Sequence, residues 1–429
     1  MRRAIPRSAR LPLGRLLRRP WSGVARRAGE VGDELSAPVL LVGGCVRDLL
    51  LGRRVNDLDI MVEGDGQAAA QRLAERVGAT CRYVRRFLTA ALYLPDGSHV
   101  DVATTRIEGY PRAGALPQVE AAPLAEDLRR RDFTINAVAV FLNRGRWGEV
   151  MDPFDGRGDM RRGLLRVIHD GSFTDDPLRA LRGVRFESRL GFRMDPRTER
   201  LARRTAREGR LAGVGADRLR EELILLLEEP HPDRALARAE ALGLLKVLHR
   251  RLRLDDETLR ALGAVERHVA WFAAIAPGQT VTGWLIGLMV SLSGLGPSGR
   301  LAAGAALNLS RRQTQALEAF ARSARILRAV DRPGVRRSAI YRALHGVPPE
   351  SLLALVAVSR SRRLRRAVSL YFGELRHVRP HVTGRDLLAL GLAPGPALGA
   401  ALDAVRDARL DGRANSRREE LDLVRRMLR

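Results

Sequence analysis

Cysteine, lysine and aromatic residues are all scarce in this chain of 429 residues. Its two cysteines, Cys45 and Cys81, cannot build a zinc site between them or staple a small disulfide fold, and the eight histidines show no metal-ligand spacing. Aromatic residues make up 4% of the chain against 45% hydrophobic residues overall, so the cores must be filled by Leu, Val and Ala. Long apolar runs are missing as well. The most apolar stretch, 284–292, is too short to span a bilayer and reads as a core helix, and no apolar leader argues for secretion. Lysine occurs once, at Lys246, so the net charge of +26 is carried by arginine. A polyanion is the natural partner of that excess, although a plain basic surface gives the same number. A chain this long suggests two to four domains.

What is present is concentrated in residues 41–60, LVGGCVRDLLLGRRVNDLDI. Asp57 and Asp59 fall in the alternating run 55–62, which predicts a strand. Residues two apart on a strand share a face, with Cα atoms about 6.5 Å apart. Two carboxylates so placed repel one another unless a cation intervenes, and Mg²⁺ is the hard, oxygen-seeking candidate. Upstream, Gly43-Gly44 breaks a short apolar strand. Glycines there let backbone N–H groups approach an anion, and Arg47 offers a planar fork of donors to a triphosphate. Residues 80–106 predict further strands turning at 95–98, which makes Asp101 a sheet neighbour. It is either a third carboxylate of the site or an exposed strand residue.

The combination GGxVRDxxLG followed at short range by DLD resembles the nucleotidyltransferase superfamily of tRNA CCA-adding enzymes and bacterial poly(A) polymerases. The resemblance implies an α+β fold. A polymerase-β-like head, a small mixed sheet with helices, would occupy 37–146, and an all-α remainder would comprise a nucleotide-selecting neck at 147–250, a body at 251–380 and a tRNA-binding tail at 381–429. Residues 1–36 are expected to form a disordered basic arm. Its first 29 residues carry nine arginines, no acid and three prolines, which suits a transit peptide, a retained extension or a start codon placed too early.

Further segments extend the resemblance. EDLRRRDFTINA, 126–137, matches a second motif in which Arg131 would contact the nucleotide, with Asp132 and Asn136 on one face of the following helix. The Gly- and Pro-containing stretch 107–122 is expected to be a mobile loop, which this family needs for adding the terminal A. Residues 152–167 match a connector motif, and 215–223 a motif expected to be structural. In 173–186, FTDDPLRALRGVRF, Asp176, Arg179, Arg182 and Arg185 recur every third residue. Read alone, that spacing describes a solvated basic helix face. The resemblance instead makes Asp176 and Arg179 readers of the incoming base. Arginine offers only donors and aspartate only acceptors, so the pair can satisfy C and A, whereas U and G place a carbonyl where the amino group is required. Position 175 is Asp where the family usually has Glu. In the tail, Gly391, Gly395 and Gly399 permit either approach to an RNA phosphate or tight helix packing.

The activity implied is template-independent addition of C, C and A to the 3′ end of tRNA from CTP and ATP, with release of pyrophosphate. Asp57, Asp59 and Asp101 would be catalytic, and Asp57 and Asp59 would hold two Mg²⁺ ions. Gly43, Gly44, Arg47, Arg131, Asp176, Arg179, Arg182 and Arg185 would face the nucleotide. The rivals are an A-only, CC-only or poly(A) enzyme, an inactive RNA-binding relative, and an enzyme modifying a small molecule. The sequence MVEGDGQA after the acidic strand looks more like CCA-type enzymes than poly(A) polymerases. A cytoplasmic location without membrane contact is expected, and the oligomeric state is left open.

Overall fold

Apolar segments short enough for strands and glycine breaks between them dictate the N-terminal architecture. The computed structural model describes residues 5, 8–109 and 118–428. The chain separates into two units, Met1–Pro230 with Arg238–Val247, and His231–Ala237 with Leu248–Arg429. In the first, eleven strands are described: β1 (Val39–Val42), β2 (Leu58–Val62), β3 (Thr80–Val84), β4 (Thr89–Tyr93), β5 (His99–Thr104), β6 (Arg106–Gly109), β7 (Gln118–Ala121), β8 (Ala139–Phe141), β9 (Val150–Met151), and a short parallel pair, β10 (Leu164–Leu165) and β11 (Arg193–Met194). Seven form one sheet in the order β3-β4-β5-β2-β1-β8-β9. Within that sheet only the β2–β5 pairing is parallel, in the register that sets Asp59 opposite Asp101. Every residue of β1 is buried, as a central strand covered on both faces requires.

Ten helices accompany these strands: α1 (Leu13–Leu16), α2 (Trp21–Glu34), α3 (Gly44–Leu50), α4 (Gly66–Val77), α5 (Leu124–Arg129), α6 (Gly156–Arg162), α7 (Ser172–Asp175), α8 (Leu178–Leu190), α9 (Pro196–Arg207) and α10 (Ala216–Leu227). Helix α4 starts where Asp65 accepts the Ala68 N–H at 2.9 Å and stops at Gly78 in the left-handed region.

Four expectations are corrected. The basic arm is not outside the fold, because α2 lays Trp21, Val24, Ala25, Ala28 and Val31 into the core. It lies so close to the sheet that a Cβ at Gly29 would sit 2.0 Å from Leu142 O. The stretch 107–122 is not all loop, since β6 and β7 pair as a ribbon, with residues 110–117 outside those described. The acidic strand begins at Leu58, leaving Asp57 in the bend before it. Asn136 ends a single 3₁₀ turn, Thr134–Asn136, and not an α-helix.

The second unit is helical. Gly283–Ser291, the core helix expected from the most apolar run, is buried from Leu285 onward. Phe272 and Phe372 meet edge to face at 4.8 Å between ring centroids. Near the C-terminus Val382, Leu387, Ala401, Val405 and Val424 form a core of their own. No described helix is long and apolar enough to cross a membrane.

Candidate active site

At the end of β1 the chain turns at Gly43, whose φ of 70° and ψ of −134° suit glycine alone. A Cβ there would lie 3.1 Å from Arg131 Nη1 and 3.5 Å from Asp59 Oδ2, so the missing side chain keeps an acidic and a basic group in one space. Asp59 and Asp101 are register partners on parallel strands, which sets their side chains on the same face, about 4.8 Å apart in the pairing direction. Burial pushes the Asp59 carboxyl up to about 6, and the charges of Asp57 and Asp101 push the same way, while Arg131 and Arg47 pull it down. Asp101 is raised as well, by partial burial first and also by Asp57, against His99. Asp59 therefore feels both neighbouring acids, and Asp101 feels Asp57. Cys45, next to them, is no nucleophile: burial holds its thiol up at about 12, and its Sγ donates to Val42 O at 3.1 Å.

Among the described residues no three His, Cys, Asp or Glu side chains close into a metal cage. An open acidic edge is what Mg²⁺ uses when one or two carboxylates and substrate phosphates share it with water. Repelling, oxygen-only side chains at Asp57, Asp59 and Asp101 fit such an ion.

Behind this edge runs a chain of buried polar contacts. Arg47 grips Asp48 at 3.0 Å through both Nε and Nη2 and donates to Asn136 Oδ1 at 2.9 Å, with its guanidinium 5.0 Å from the Phe186 ring centre. It is buried, bracing α3 instead of standing open to phosphate. Asn136 Nδ2 donates to Asp132 Oδ1 at 2.9 Å, so those two residues do share a face, and Arg182 Nη1 reaches Asp132 Oδ2 at 3.3 Å. Burial alone would raise Asp132, yet Arg182, Asn136 and Arg179 hold it below the usual carboxylate range. Arg131 bonds Asp127 at 3.1 Å through Nη2. Arg130 shares Asp127, pairs with Glu108 on the ribbon and donates to Arg106 O at 2.8 Å.

The stripe every third residue is not a solvated face. Arg179 and Arg185 are buried on α8, and Asp176 is buried in the extended residue just before it. Asp176 takes an ion pair from Arg218 Nη2 at 3.0 Å, and Arg185 Nε bonds Glu222 Oε1 at 2.9 Å, both partners lying on α10. Arg182 lies 3.7 Å from Glu222 through Nε. Arg179 donates to Ser172 Oγ at 3.0 Å and to Arg130 O at 2.7 Å. The motif expected to be merely structural thus supplies Arg218 and Glu222, the counterions of the stripe. Sequence reasoning also passed over Asp127 and Arg130. The only signal for them was their place in a charge run beside Arg131.

The family model of the poly A polymerase head domain matches residues 39–166, and that of a probable RNA and SrmB-binding site of polymerase A matches residues 191–254. An A-adding tRNA nucleotidyltransferase of Geobacter sulfurreducens is 42% identical over 90% of this chain, which spans only 44% of that protein's length. One of the same name from Halalkalibacterium halodurans is 32% identical over 86% of this chain and 84% of its own length. A solved structure of a CCA-adding enzyme in an apo form superposes with a TM-score of 0.84 at 30% identity, covering 97% of each chain.

Proposed function

The chain belongs to the family of tRNA nucleotidyltransferases and poly(A) polymerases, and from that premise we propose that it adds the terminal A to the 3′ end of tRNA without a nucleic-acid template. The observation that carries the reading is the charge of Arg131 acting on Asp59 across Gly43, together with the run of hydrogen bonds from Arg131 through Asn136 and Asp132 to Arg182 on α8. It ties the place of chemistry to the place of base choice. A-addition is favoured over the full CCA sequence because relatives at 42% and 32% identity carry the A-adding name.

In this proposal the 3′ hydroxyl of tRNA attacks the α-phosphate of ATP and pyrophosphate departs. Asp57 and Asp59, with Asp101 beside them, would hold Mg²⁺, which when bound lowers the pKa of the attacking hydroxyl and neutralises charge on the phosphates. Arg131, next to Asp59 across Gly43, orients the triphosphate. Asp176 and Arg179 select the base: adenine offers an N6 donor beside its N1 acceptor, and a base with a carbonyl there leaves buried polar groups unpaired. Arg218 holds Asp176 in place, and Glu222 holds Arg185 on the same helix as Arg179. Arginine-rich helices of the second unit supply phosphate contacts along tRNA, a partner that would be met in the cytoplasm.

Full CCA addition is the second reading, supported by the likeness to a CCA-adding enzyme and by the fact that the same Asp–Arg pair satisfies cytosine. The deciding experiment incubates tRNAs ending at the discriminator base, at C and at CC with each nucleoside triphosphate separately. Growth by one residue of the CC-ending tRNA with ATP, with no growth of the shorter tRNAs with CTP, supports A-addition. Extension of the shorter tRNAs by CTP together with A-addition to the CC-ending tRNA establishes the full activity, CTP extension alone indicates a CC-adding enzyme, long A tracts indicate a poly(A) polymerase, and no extension at all overturns the proposal.

A further inference from the structure

The bend carrying Asp57 raises a physical question, because a metal-holding carboxylate outside a strand needs something to hold its backbone. The segment enters at Arg53, whose N–H bonds Asp48 O at 2.8 Å and whose Nη2 bonds Arg189 O at 2.9 Å. It leaves at Leu58, where β2 pairs with β5. Between these anchors, Arg54, Asn56 and Asp57 are exposed. One hydrogen bond among the described residues ties the backbone of Arg54, Val55 and Asn56 to another element, and it comes from Trp21: the indole Nε1 donates to Val55 O at 3.0 Å.

We propose that Trp21 is a positioning residue for Asp57, so that the N-terminal helix is part of the catalytic apparatus. The chemistry suits the task. An indole is a rigid, donor-only group, and this one is only 7% exposed, so its N–H has a fixed direction. Its platform is equally fixed. Asp33 accepts from Asn143 Nδ2 at 3.1 Å, and Asn143 Oδ1 in turn accepts the Val39 N–H at 2.8 Å, which locks α2 to β1. Glu30 and Glu34 hold Arg76 on α4. Trp21 thus carries the position of the sheet's first strand to a carbonyl two residues before Asp57. A carboxylate displaced by about 1 Å is enough to cost a large factor in rate where geometry supplies the catalysis.

The inference rests on the proposed role of Asp57, and its test has one arm that needs neither tRNA nor nucleotide. Trp21→Phe keeps an aromatic ring in the core and removes the donor. Tryptic cleavage within 53–54, an exposed Arg-Arg pair inside the bend, should speed up by about two- to tenfold, the factor that one neutral hydrogen bond represents. The thermal midpoint should fall by no more than a few degrees, as one lost hydrogen bond implies, and the cleavage pattern elsewhere in the head should not change. In the second arm kcat should fall by about tenfold, with KM for tRNA and nucleotide unchanged within a factor of about two and a higher Mg²⁺ concentration at half-maximal rate. Unchanged cleavage at 53–54 overturns the proposal. So does a larger fall in the thermal midpoint with cleavage accelerated throughout the head, which would make Trp21 an ordinary core residue. If the bend loosens while kcat and the Mg²⁺ requirement stay as in the parent, the tie exists but Asp57 does not depend on it, and the proposal falls.

Discussion

Asp59 is the residue whose situation has the most direct energetic consequence. Its carboxyl stands at about 6 in the fold against an ordinary 3.8, because burial and two neighbouring acids oppose its charge. A raised carboxyl contributes stability that is fully present below about 3.8 and is lost as pH rises through about 6. At pH 8, without divalent metal, the folded protein therefore bears the cost of ionising it. Asp59→Asn removes that cost. We expect the variant to be more stable than the parent by up to about 3 kcal/mol at pH 8, with the gain fading below pH 6 and absent near pH 4. Incorporation of nucleotide should be abolished. Urea denaturation at pH 4, 6 and 8 checks the first point, and an equal or opposite change at pH 8 would show that the three acids do not repel as described. The pair Asp57 and Asp59 was legible in the sequence as two acids one residue apart, although strand alternation accounts only for Asp59. What alternation could not give was the start of the strand at Leu58, since hydrogen bonding to β5, over forty residues away, decides it.

At the level of elements, α8 and α10 form one electrostatic unit. Glu222 faces Arg185 at 2.9 Å and Arg182 at 3.7 Å, and both Glu222 and Arg185 are buried. Removing one partner of a buried pair leaves an uncompensated charge, at a cost of about 3–5 kcal/mol, far more than an exposed pair would show. Glu222→Gln keeps shape and a hydrogen-bonding oxygen, so its loss should sit at the lower end, about 3 kcal/mol. It should also let Arg182 drift from Asp132 and relax base choice, with UTP and GTP gaining incorporation relative to ATP. Thermal unfolding and single-nucleotide competition measure the two effects, and stability lost without any change in selectivity would confine Glu222 to folding. The three-residue rhythm of the stripe was visible in the sequence, but which way it faced was not. Counterions 37 residues further on decide burial, and periodicity is blind to them. The same blindness hid α2. Its apolar stripe at Trp21, Val24, Ala25, Ala28 and Val31 has helical spacing, yet three prolines and a dense arginine count drew attention to composition instead.

For the whole molecule, net charge counts what remains after internal pairing, and this fold spends many arginines inside. Arg47 and Arg185 are buried against carboxylates of their own, so they add little to a surface field that a polyanion would meet. The surplus must lie elsewhere. One place is the helix Arg362–Gly373, where Arg362, Arg365 and Arg366 line a groove of about 780 Å³ together with Ser369 and Leu370. All three arginines are exposed, and Arg365 lies 4.7 Å over the Trp271 ring, the pairing of cation and aromatic that suits a nucleic-acid backbone with unstacked bases nearby. Charge alone predicts how this face should behave. Replacing Arg362, Arg365 and Arg366 by Gln removes three potential phosphate partners, so tRNA affinity should fall and the slope of log K against log salt should flatten by about two to three. Filter binding across a salt series measures it. Addition to saturating tRNA should stay near the parental rate, since saturation offsets a loss of affinity. An unchanged slope would mean that tRNA is held by another face of the chain.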